Sequence, residues 1–112
     1  MKKIKNLIIC FIVIFNYLIV SESSAVNLEN GKYLFNNNCI ACHKDGTNVI
    51  IPEKNLKKEM LETNGMNTID AIIYQVLNGK NGMPAFGGRL TENEIEEIAN
   101  YVIIASEKNF KF

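Results

Sequence analysis

The chain has 112 residues, of which 12 are basic, 12 are acidic and one is histidine. This length allows one domain, and the balanced charge lacks the basic excess that a nucleic-acid-binding protein would show. Of the three cysteines, Cys10 lies in an apolar stretch near the N-terminus, so only Cys39 and Cys42 remain for chemistry, and a disulfide scaffold is excluded.

Residues 1–25 have the organisation of a secretory signal peptide. A start with three lysines precedes an apolar run over residues 7–20, and Ser23 and Ala25 occupy the two positions that a signal peptidase recognises. The alternative is a retained membrane anchor, but a run of about 14 residues is shorter than the roughly 20 that span a bilayer. We predict cleavage after Ala25. The three lysines and one glutamate are then lost, and residues 26–112 form one domain with a formal charge of −2.

Residues 28–35 carry apolar side chains at helical spacing and predict a short helix that ends near residues 36–38. Gly31 is unusual inside a helix, where glycine costs about 1 kcal/mol relative to alanine. It indicates either a close crossing with another helix or a tolerated glycine.

The stretch Cys39-Ile40-Ala41-Cys42-His43 follows directly and has the pattern of a c-type haem attachment site. Each thiol can form a thioether with a haem vinyl group, and His43 can ligate the iron. A zinc site would need two further Cys or His ligands, and none remain after removal of residues 1–25. A thioredoxin-like pair would need a βαβ unit, whereas the pattern of this chain is helical.

A histidine ligand commonly donates its second N–H to a backbone carbonyl. The carbonyl of Pro52, or one nearby, is our candidate acceptor for His43, and we expect Pro52 to belong to the haem surroundings. Residues 53–62 then predict a short helix with three inward side chains, Leu56, Met60 and Leu61.

Asn67 or Thr68 is expected to begin a stronger helix that ends near Asn78, with Gly79 in the left-handed position after it. A glycine-rich loop over residues 79–89 follows. The last helix starts at Thr91, which has Glu94 at the spacing of a capping box, and the tail from residue 106 is predicted to fray. The sequence therefore predicts an all-α domain of about four short helices around a haem.

His43 is the only histidine, so the second axial ligand must be a different residue type. Methionine is the usual choice in electron-carrying haem proteins. Met60 lies on an apolar helical face and is interpreted as core, Met66 remains possible, and Met83, held by Pro84 in the glycine-rich loop, is our predicted ligand. With His43 and Met83 on the iron, no position is open for a substrate, so we expect an electron carrier and not an enzyme.

From residue 28 to the last helix, the chain resembles the cytochrome c6 family of algae and cyanobacteria. The matching stretches are residues 35–43, 52–56, 73–76, 78–80, 83–86 and 89–90. Ile40 and Ile51 depart from residues common in the family but keep the apolar character. The resemblance implies the class I cytochrome c fold with one covalently bound haem c. Its N- and C-terminal helices would cross, so that Gly31 and Phe35 meet Tyr101.

The resemblance also implies a soluble, monomeric photosynthetic electron carrier in the thylakoid lumen of a plastid (chloroplast). It would take electrons from cytochrome f of the cytochrome b6f complex and pass them to photosystem I, with no stable membrane insertion after cleavage. The runner-up is a periplasmic-type cytochrome c that donates electrons to a terminal oxidase. A haem subunit of an enzyme is the alternative from a different class.

Further residues are assigned through the resemblance or through their chemistry. Gln75 matches a family glutamine that lies near the haem, although it could also be a surface residue of its helix. Arg89 matches an arginine linked to partner docking, although it could also be an ordinary solvated charge. Brief docking combines an apolar patch with charge steering. The patch candidates are Val49, Ile50, Ala85 and Phe86. The acidic candidates are Glu96 and Glu97, although acids are also favourable near a helix N-terminus.

Overall fold

The computed structural model describes residues 3–10 and 26–112. Residues 3–10 are helical and exposed. The predicted cleavage site after Ala25 and most of the apolar run before it lie outside the described residues. In these two ranges, no helix combines the length and the apolar character needed to cross a membrane.

Residues 26–112 contain five α-helices and two short 3₁₀ turns joined by loops, in agreement with the all-α prediction. The α-helices are α1 (Leu28–Asn38), α2 (Ile40–His43), α3 (Lys58–Thr63), α4 (Ile69–Asn78) and α5 (Glu92–Glu107). The 3₁₀ turns are Lys44–Gly46 and Pro52–Lys54. The described part of the chain forms no β-strand, only isolated bridges between Lys80 and Met83 and between Gly87 and Leu90.

Polar side chains fix the starts of α4 and α5. The Thr68 hydroxyl accepts a hydrogen bond from the Ala71 backbone N–H at 3.1 Å, so Thr68 and not Asn67 begins α4. At α5 the Glu94 N–H donates to the Thr91 hydroxyl at 3.2 Å, and the Thr91 N–H donates to the Glu94 carboxylate at 2.9 Å. The predicted capping box is therefore confirmed.

The helices α1 and α5 cross at Gly31. A Cβ built on Gly31 would collide with the Glu97 carbonyl oxygen and lie 3.0 Å from the Tyr101 Cβ. One turn further along α1, the Phe35 ring lies 5.3 Å from the Tyr101 ring, centroid to centroid. The predicted close crossing is confirmed, and glycine is the residue that permits it.

The core lies where α4 packs on the middle of α5, and it forms the floor of the cleft described below. Ile95, Ile98 and Ala99 are at most 1% exposed, and Ile72 and Val76 of α4 are buried against them. Each fully buried isoleucine or valine contributes about 1.5–3 kcal/mol through the removal of apolar surface from water. Leu77, which continues the apolar stripe of α4 in sequence, is instead 38% exposed.

The predicted helix over residues 53–62 is wrong in its first half. Residues 52–54 form a 3₁₀ turn, and Asn55 then takes an extended conformation, with φ −74° and ψ 172°. The Asn55 side-chain oxygen accepts a hydrogen bond from the Lys57 N–H at 3.0 Å, which offers the backbone a local alternative to a helix. Only α3 is helical, and of the three residues predicted to point inward only Leu61 is fully buried.

The C-terminal tail does not fray as predicted. The Phe110 backbone N–H donates to the Ala105 carbonyl at 2.8 Å, and the Phe110 ring lies 5.9 Å from the Phe35 ring, centroid to centroid. Phe112 stacks on Tyr101 at 6.1 Å. The sequence pattern missed this packing because two aromatic residues among polar ones have no helical or strand period.

Candidate haem-binding site

A cleft opens between the short helix α2, the loop after α4, and the core of α4 and α5. The empty space of the cleft, which includes its open mouth, is about 1150 Å³. The polar and sulfur-bearing residues at its walls include Cys39, Cys42, His43, Met66, Gln75 and Met83. The floor of the cleft is formed by apolar side chains of α3, α4 and α5, and loop residues such as Ile51, Asn55 and Lys80 complete the lining.

The helical turn from Cys39 to His43 presents both thiols to this cleft. The His43 N–H donates to the Cys39 carbonyl at 2.9 Å, which closes one turn. Residues three apart on a helix share a face, so Cys39 and Cys42 are neighbours, and both are free thiols. Burial, with a smaller contribution from Cys42, raises the pKa of Cys39 to about 11. The thiol therefore stays protonated near neutral pH, which disfavours a thioredoxin-like nucleophile.

The His43 imidazole is oriented by one hydrogen bond. Its Nδ1 lies 2.8 Å from the Thr47 carbonyl oxygen, so in the neutral ring Nδ1–H donates and Nε2 keeps the lone pair that can bind a metal. Burial lowers the pKa of His43, although the bond to Thr47 acts in the opposite direction. A lowered pKa keeps the ring neutral, which is the form a ligand needs.

Of the candidate acceptors for His43, the Pro52 carbonyl is not the one used, and the acceptor is Thr47. The Pro52 carbonyl accepts a hydrogen bond from the Asn55 side-chain amide at 3.1 Å. Pro52 is exposed, and its neighbours Ile51 and Lys54 line the cleft instead. Sequence spacing pointed to a carbonyl after His43 but could not identify Thr47, because the turn that brings Thr47 back has positive φ values at Asp45 (55°) and Gly46 (78°).

The Met83 loop is built on a two-residue turn. Lys80 and Met83 exchange two backbone hydrogen bonds, each 3.0 Å, and the residues between them have positive φ values, 46° at Asn81 and 88° at Gly82. Asn-Gly is the preferred sequence for such a turn. Gly79, at the end of α4, has φ 68°, and a Cβ there would lie 2.7 Å from the Ala85 nitrogen.

Met83 and Gln75 are neighbours inside the cleft. The Gln75 side-chain nitrogen lies 3.6 Å from the Met83 sulfur, within range for a weak N–H···S hydrogen bond. The structure therefore places Gln75 in the cleft wall and not on the surface of α4. Met66 also lines the cleft, whereas Met60 does not, as expected for a packing residue.

Two of the docking candidates, Phe86 and Glu97, are not available to a partner. Phe86 is only 7% exposed, and its ring is covered by the Arg89 guanidinium, 4.9 Å from the ring centroid. Glu97 is 9% exposed and accepts hydrogen bonds from the side-chain amides of Asn30 and Asn93 at the helix crossing. Both predictions of a surface role are wrong because the sequence does not reveal which neighbours cover a side chain. Arg89 and Glu96 are exposed.

The residues of the cleft fit a haem c. Two neighbouring thiols, an imidazole fixed through Nδ1 and a thioether beside an amide converge on one apolar cleft. Among the described residues, no group of three or more His, Cys, Asp or Glu side chains could hold a bare metal ion. The donor set is that of a covalently attached haem with sulfur and nitrogen ligands.

Comparisons with known proteins agree with this fit. Residues 26–102 match the family model described as cytochrome C oxidase, cbb3-type, subunit III. Cytochrome c6 of Pyropia yezoensis is 52% identical over 109 residues, which cover 95% of this chain and 98% of that protein. Cytochrome c6 of Bumilleriopsis filiformis is 60% identical over 84 residues, covering 75% of this chain and 98% of that one.

Solved structures show the same fold. Cytochrome c6 from the diatom Phaeodactylum tricornutum superposes with a TM-score of 0.72 at 49% identity, covering 74% of this chain and 98% of that chain. Oxidized cytochrome c6A from Arabidopsis thaliana gives a TM-score of 0.74 at 31% identity, and the match covers 80% of this chain and 99% of that chain. The class I cytochrome c fold is thereby confirmed. The chain belongs to the cytochrome c6 family, whose members are electron-carrying c-type cytochromes with covalently bound haem c.

Proposed function

We propose that this protein carries single electrons from cytochrome f of the cytochrome b6f complex to photosystem I in the thylakoid lumen of a plastid. The observation that carries the proposal is the convergence of Cys39, Cys42, His43 and Met83 on one apolar cleft. Membership of the cytochrome c6 family supports the same role.

Four residues would hold one haem c, which supplies a one-electron couple when bound. The Cys39 and Cys42 thiols would form the two thioether links. His43 would use Nε2 as a ligand, since Nδ1 is bonded to Thr47. Met83 would supply the second axial ligand, and Met66 is the alternative because it lines the same cleft.

Gln75 would tune the site without ligating it. Its amide N–H points its positive end at the Met83 sulfur, in a cleft whose other walls are mostly apolar. A partial positive charge beside the ligand disfavours the oxidised, more positive state of the site. Gln75 would therefore raise the potential at which the protein accepts its electron.

The lumenal location is supported by the signal-peptide pattern of residues 1–25. The 84 residues that align with the Bumilleriopsis filiformis protein make up 98% of it and 75% of this chain. That relative therefore has the length of residues 26–112, as expected if the family functions without the N-terminal segment. The proposal includes cleavage after Ala25.

Partner docking would use exposed apolar residues beside the cleft together with exposed charges. Val49 and Ile50 are 64% and 55% exposed, and Ile50 lines the cleft mouth. Arg89 lies exposed above Phe86, and Glu96 is exposed on α5. In brief complexes of this kind, charge steering mainly raises the rate of association and contributes less to affinity.

A flash experiment tests the proposed route. The haem-loaded protein, mixed with purified photosystem I, is expected to re-reduce the flash-oxidised reaction centre in a second-order phase that accelerates with protein concentration. Reduction by cytochrome f is measured by stopped flow. Photosystem I reduction no faster than that by a cytochrome c of unrelated family would defeat the proposal.

A second candidate function rests on the family model that matches residues 26–102, whose description names a subunit of a cbb3-type oxidase. In that case the protein would pass electrons to a terminal oxidase. Oxygen uptake by such an oxidase, with this protein as the only electron donor, distinguishes the two routes.

A further inference from the structure

Two consecutive residues in the C-terminal tail have left-handed backbone conformations. Asn109 has φ 51° and Phe110 has φ 57°. A bulky residue with positive φ is a genuine outlier, because its Cβ crowds the following carbonyl. The conformation is held by two backbone hydrogen bonds, from the Asn109 N–H to the Ser106 carbonyl at 3.1 Å and from the Phe110 N–H to the Ala105 carbonyl at 2.8 Å. Such outliers persist only where surrounding contacts compensate for them.

The compensating contact is between the Phe110 ring and Gly46. A Cβ built on Gly46 would lie 2.8 Å from Phe110 Cε2 and 3.0 Å from Cγ, and closer still to Cδ2. The ring thus occupies the space that a side chain at position 46 would fill. Phe35 and Tyr101 hold its other sides, with centroids at 5.9 Å and 6.4 Å.

Gly46 belongs to the turn that orients His43. The Thr47 N–H donates to the Lys44 carbonyl at 3.0 Å, and the Thr47 carbonyl receives the His43 Nδ1 bond. Within residues 44–47, Gly46 alone is buried, and the others are exposed. The packing of the turn against the domain therefore depends on the Gly46–Phe110 contact, together with the bond from the Leu56 N–H to the Gly46 carbonyl at 2.8 Å.

We propose that Phe110 is a positioning residue for His43: its ring holds Gly46 in place, so that the Thr47 carbonyl stays bonded to His43 Nδ1. Phe110 is not among the residues that line the cleft, so it acts through the turn. The inference concerns the His43–Thr47 bond itself. Only its effect on potential rests on the proposed role of His43 as iron ligand.

The test measures the bond directly. In the reduced, haem-loaded protein, hydrogen exchange of the His43 Nδ1 proton with solvent is followed by NMR. For Phe110→Ala we expect exchange about tenfold faster, the size of effect that loss of an aromatic contact produces. The midpoint potential is expected to rise, because an imidazole that loses its N–H acceptor is a less basic ligand.

Two further variants separate positioning from general stability. Phe110→Tyr keeps the ring, so its Nδ1 exchange rate and midpoint potential are expected to equal those of the parent protein. Phe112→Ala is the matched control, since Phe112 is 69% exposed and stacks on Tyr101. If Phe110→Ala folds poorly, Phe110→Leu takes its place with the same two measurements.

The inference is overturned if the Phe110 variant lowers thermal stability but leaves Nδ1 exchange and potential equal to those of Phe112→Ala. If exchange accelerates while the potential stays constant, the positioning of His43 stands and its ligand role fails. The two proposals therefore fail in distinguishable ways.

Discussion

The side-chain nitrogen of Gln75 lies 3.6 Å from the sulfur of Met83, although the two residues belong to a helix and to the loop after it. The contact forms because α4 ends at Asn78 and the two-residue turn at Asn81 and Gly82 reverses the chain. An amide from the rigid helix thus stabilises the position of a side chain carried by a loop.

Replacement of Gln75 by valine is expected to lower the midpoint potential. Loss of a hydrogen bond worth about 0.5–1.5 kcal/mol corresponds to roughly 20–65 mV for a one-electron couple, since a tenfold change equals about 59 mV. Spectroelectrochemical titration measures the shift. Tyr74→Ser, at a neighbouring position that is 71% exposed, is the control, and a Gln75→Val potential equal to that of the control contradicts the assignment.

The two methionines of the cleft are distinguished by substitution. Met83→Ala is expected to abolish the near-infrared band of sulfur–iron ligation in the oxidised protein. Met66→Leu conserves volume, so it should cost less than about 1.5 kcal/mol of stability and leave the band unchanged. The opposite pattern would identify Met66 as the ligand.

Substitution of Gly31 tests the helix crossing. On an isolated helix, Gly→Ala is favourable by about 1 kcal/mol. Here the new Cβ would collide with the Glu97 carbonyl oxygen, which belongs to backbone and cannot move aside. Gly31→Ala is therefore expected to destabilise by about 1–3 kcal/mol, the usual cost of overpacking, as measured by urea unfolding.

Gly65→Ala is the control for Gly31→Ala. No atom lies within 4 Å of a Cβ at Gly65, so its cost comes only from the positive φ of 67°. An added left-handed residue costs about 1–2 kcal/mol. A neutral or stabilising Gly31→Ala would mean that the crossing is looser than described.

The acidic residues of α5 provide a paired test of docking. Glu96→Gln and Arg89→Gln are expected to change the rate of photosystem I reduction and to reduce its dependence on ionic strength, since both side chains are exposed. Glu97→Gln is expected to leave that salt dependence unchanged and to lower stability, because the Glu97 carboxylate accepts bonds from Asn30 and Asn93. Equal effects of Glu96→Gln and Glu97→Gln on the rate of photosystem I reduction would contradict the assignment of docking to Glu96 and of a structural role to Glu97.

The Met83 loop is expected to open first as the protein is destabilised. Ligation of one iron by His43 and Met83 would close a loop of about 40 residues, at an entropic cost of roughly 3 kcal/mol before constants. Most of residues 79–89 are exposed, with Phe86 as the buried anchor. Hydrogen exchange in low denaturant should release the amides of Lys80 and Met83 before those of α5. Simultaneous release would rule out a separate opening step.

Sequence reasoning succeeded where a local pattern has one physical cause. Thr91 and Glu94 have the spacing of a capping box, which the structure confirms. Gly31 alone left a close crossing and a tolerated glycine open, and the crossing that the family resemblance implied is confirmed. Sequence reasoning failed where a distant residue decides the outcome. Glu97 is buried because Asn30, 67 residues away in sequence, supplies an amide to its carboxylate.

Backbone conformation accounts for two other wrong predictions, which concern the acceptor of the His43 bond and the fraying of the tail. Thr47 binds His43 because Asp45 takes a left-handed conformation that its sequence permits but does not require. The tail is ordered around two left-handed residues, Asn109, whose type tolerates that conformation, and Phe110, whose type does not favour it. Local propensity describes the common states of a residue, and tertiary contacts can select an uncommon one.

The crossing of α1 and α5 joins the first and last helices of residues 26–112. A ribosome produces α1 long before α5, so during synthesis α1 has no packing partner until nearly the whole domain has been made. A contact so distant in sequence carries a large loop-closure entropy, which slows its formation. Until α5 packs, the turn with Cys39 and Cys42 follows a helix without its packing partner, so we expect its thiols to be more accessible to solvent than in the folded domain. The topology thereby orders two events in time: covalent modification of the chain can precede closure of the domain.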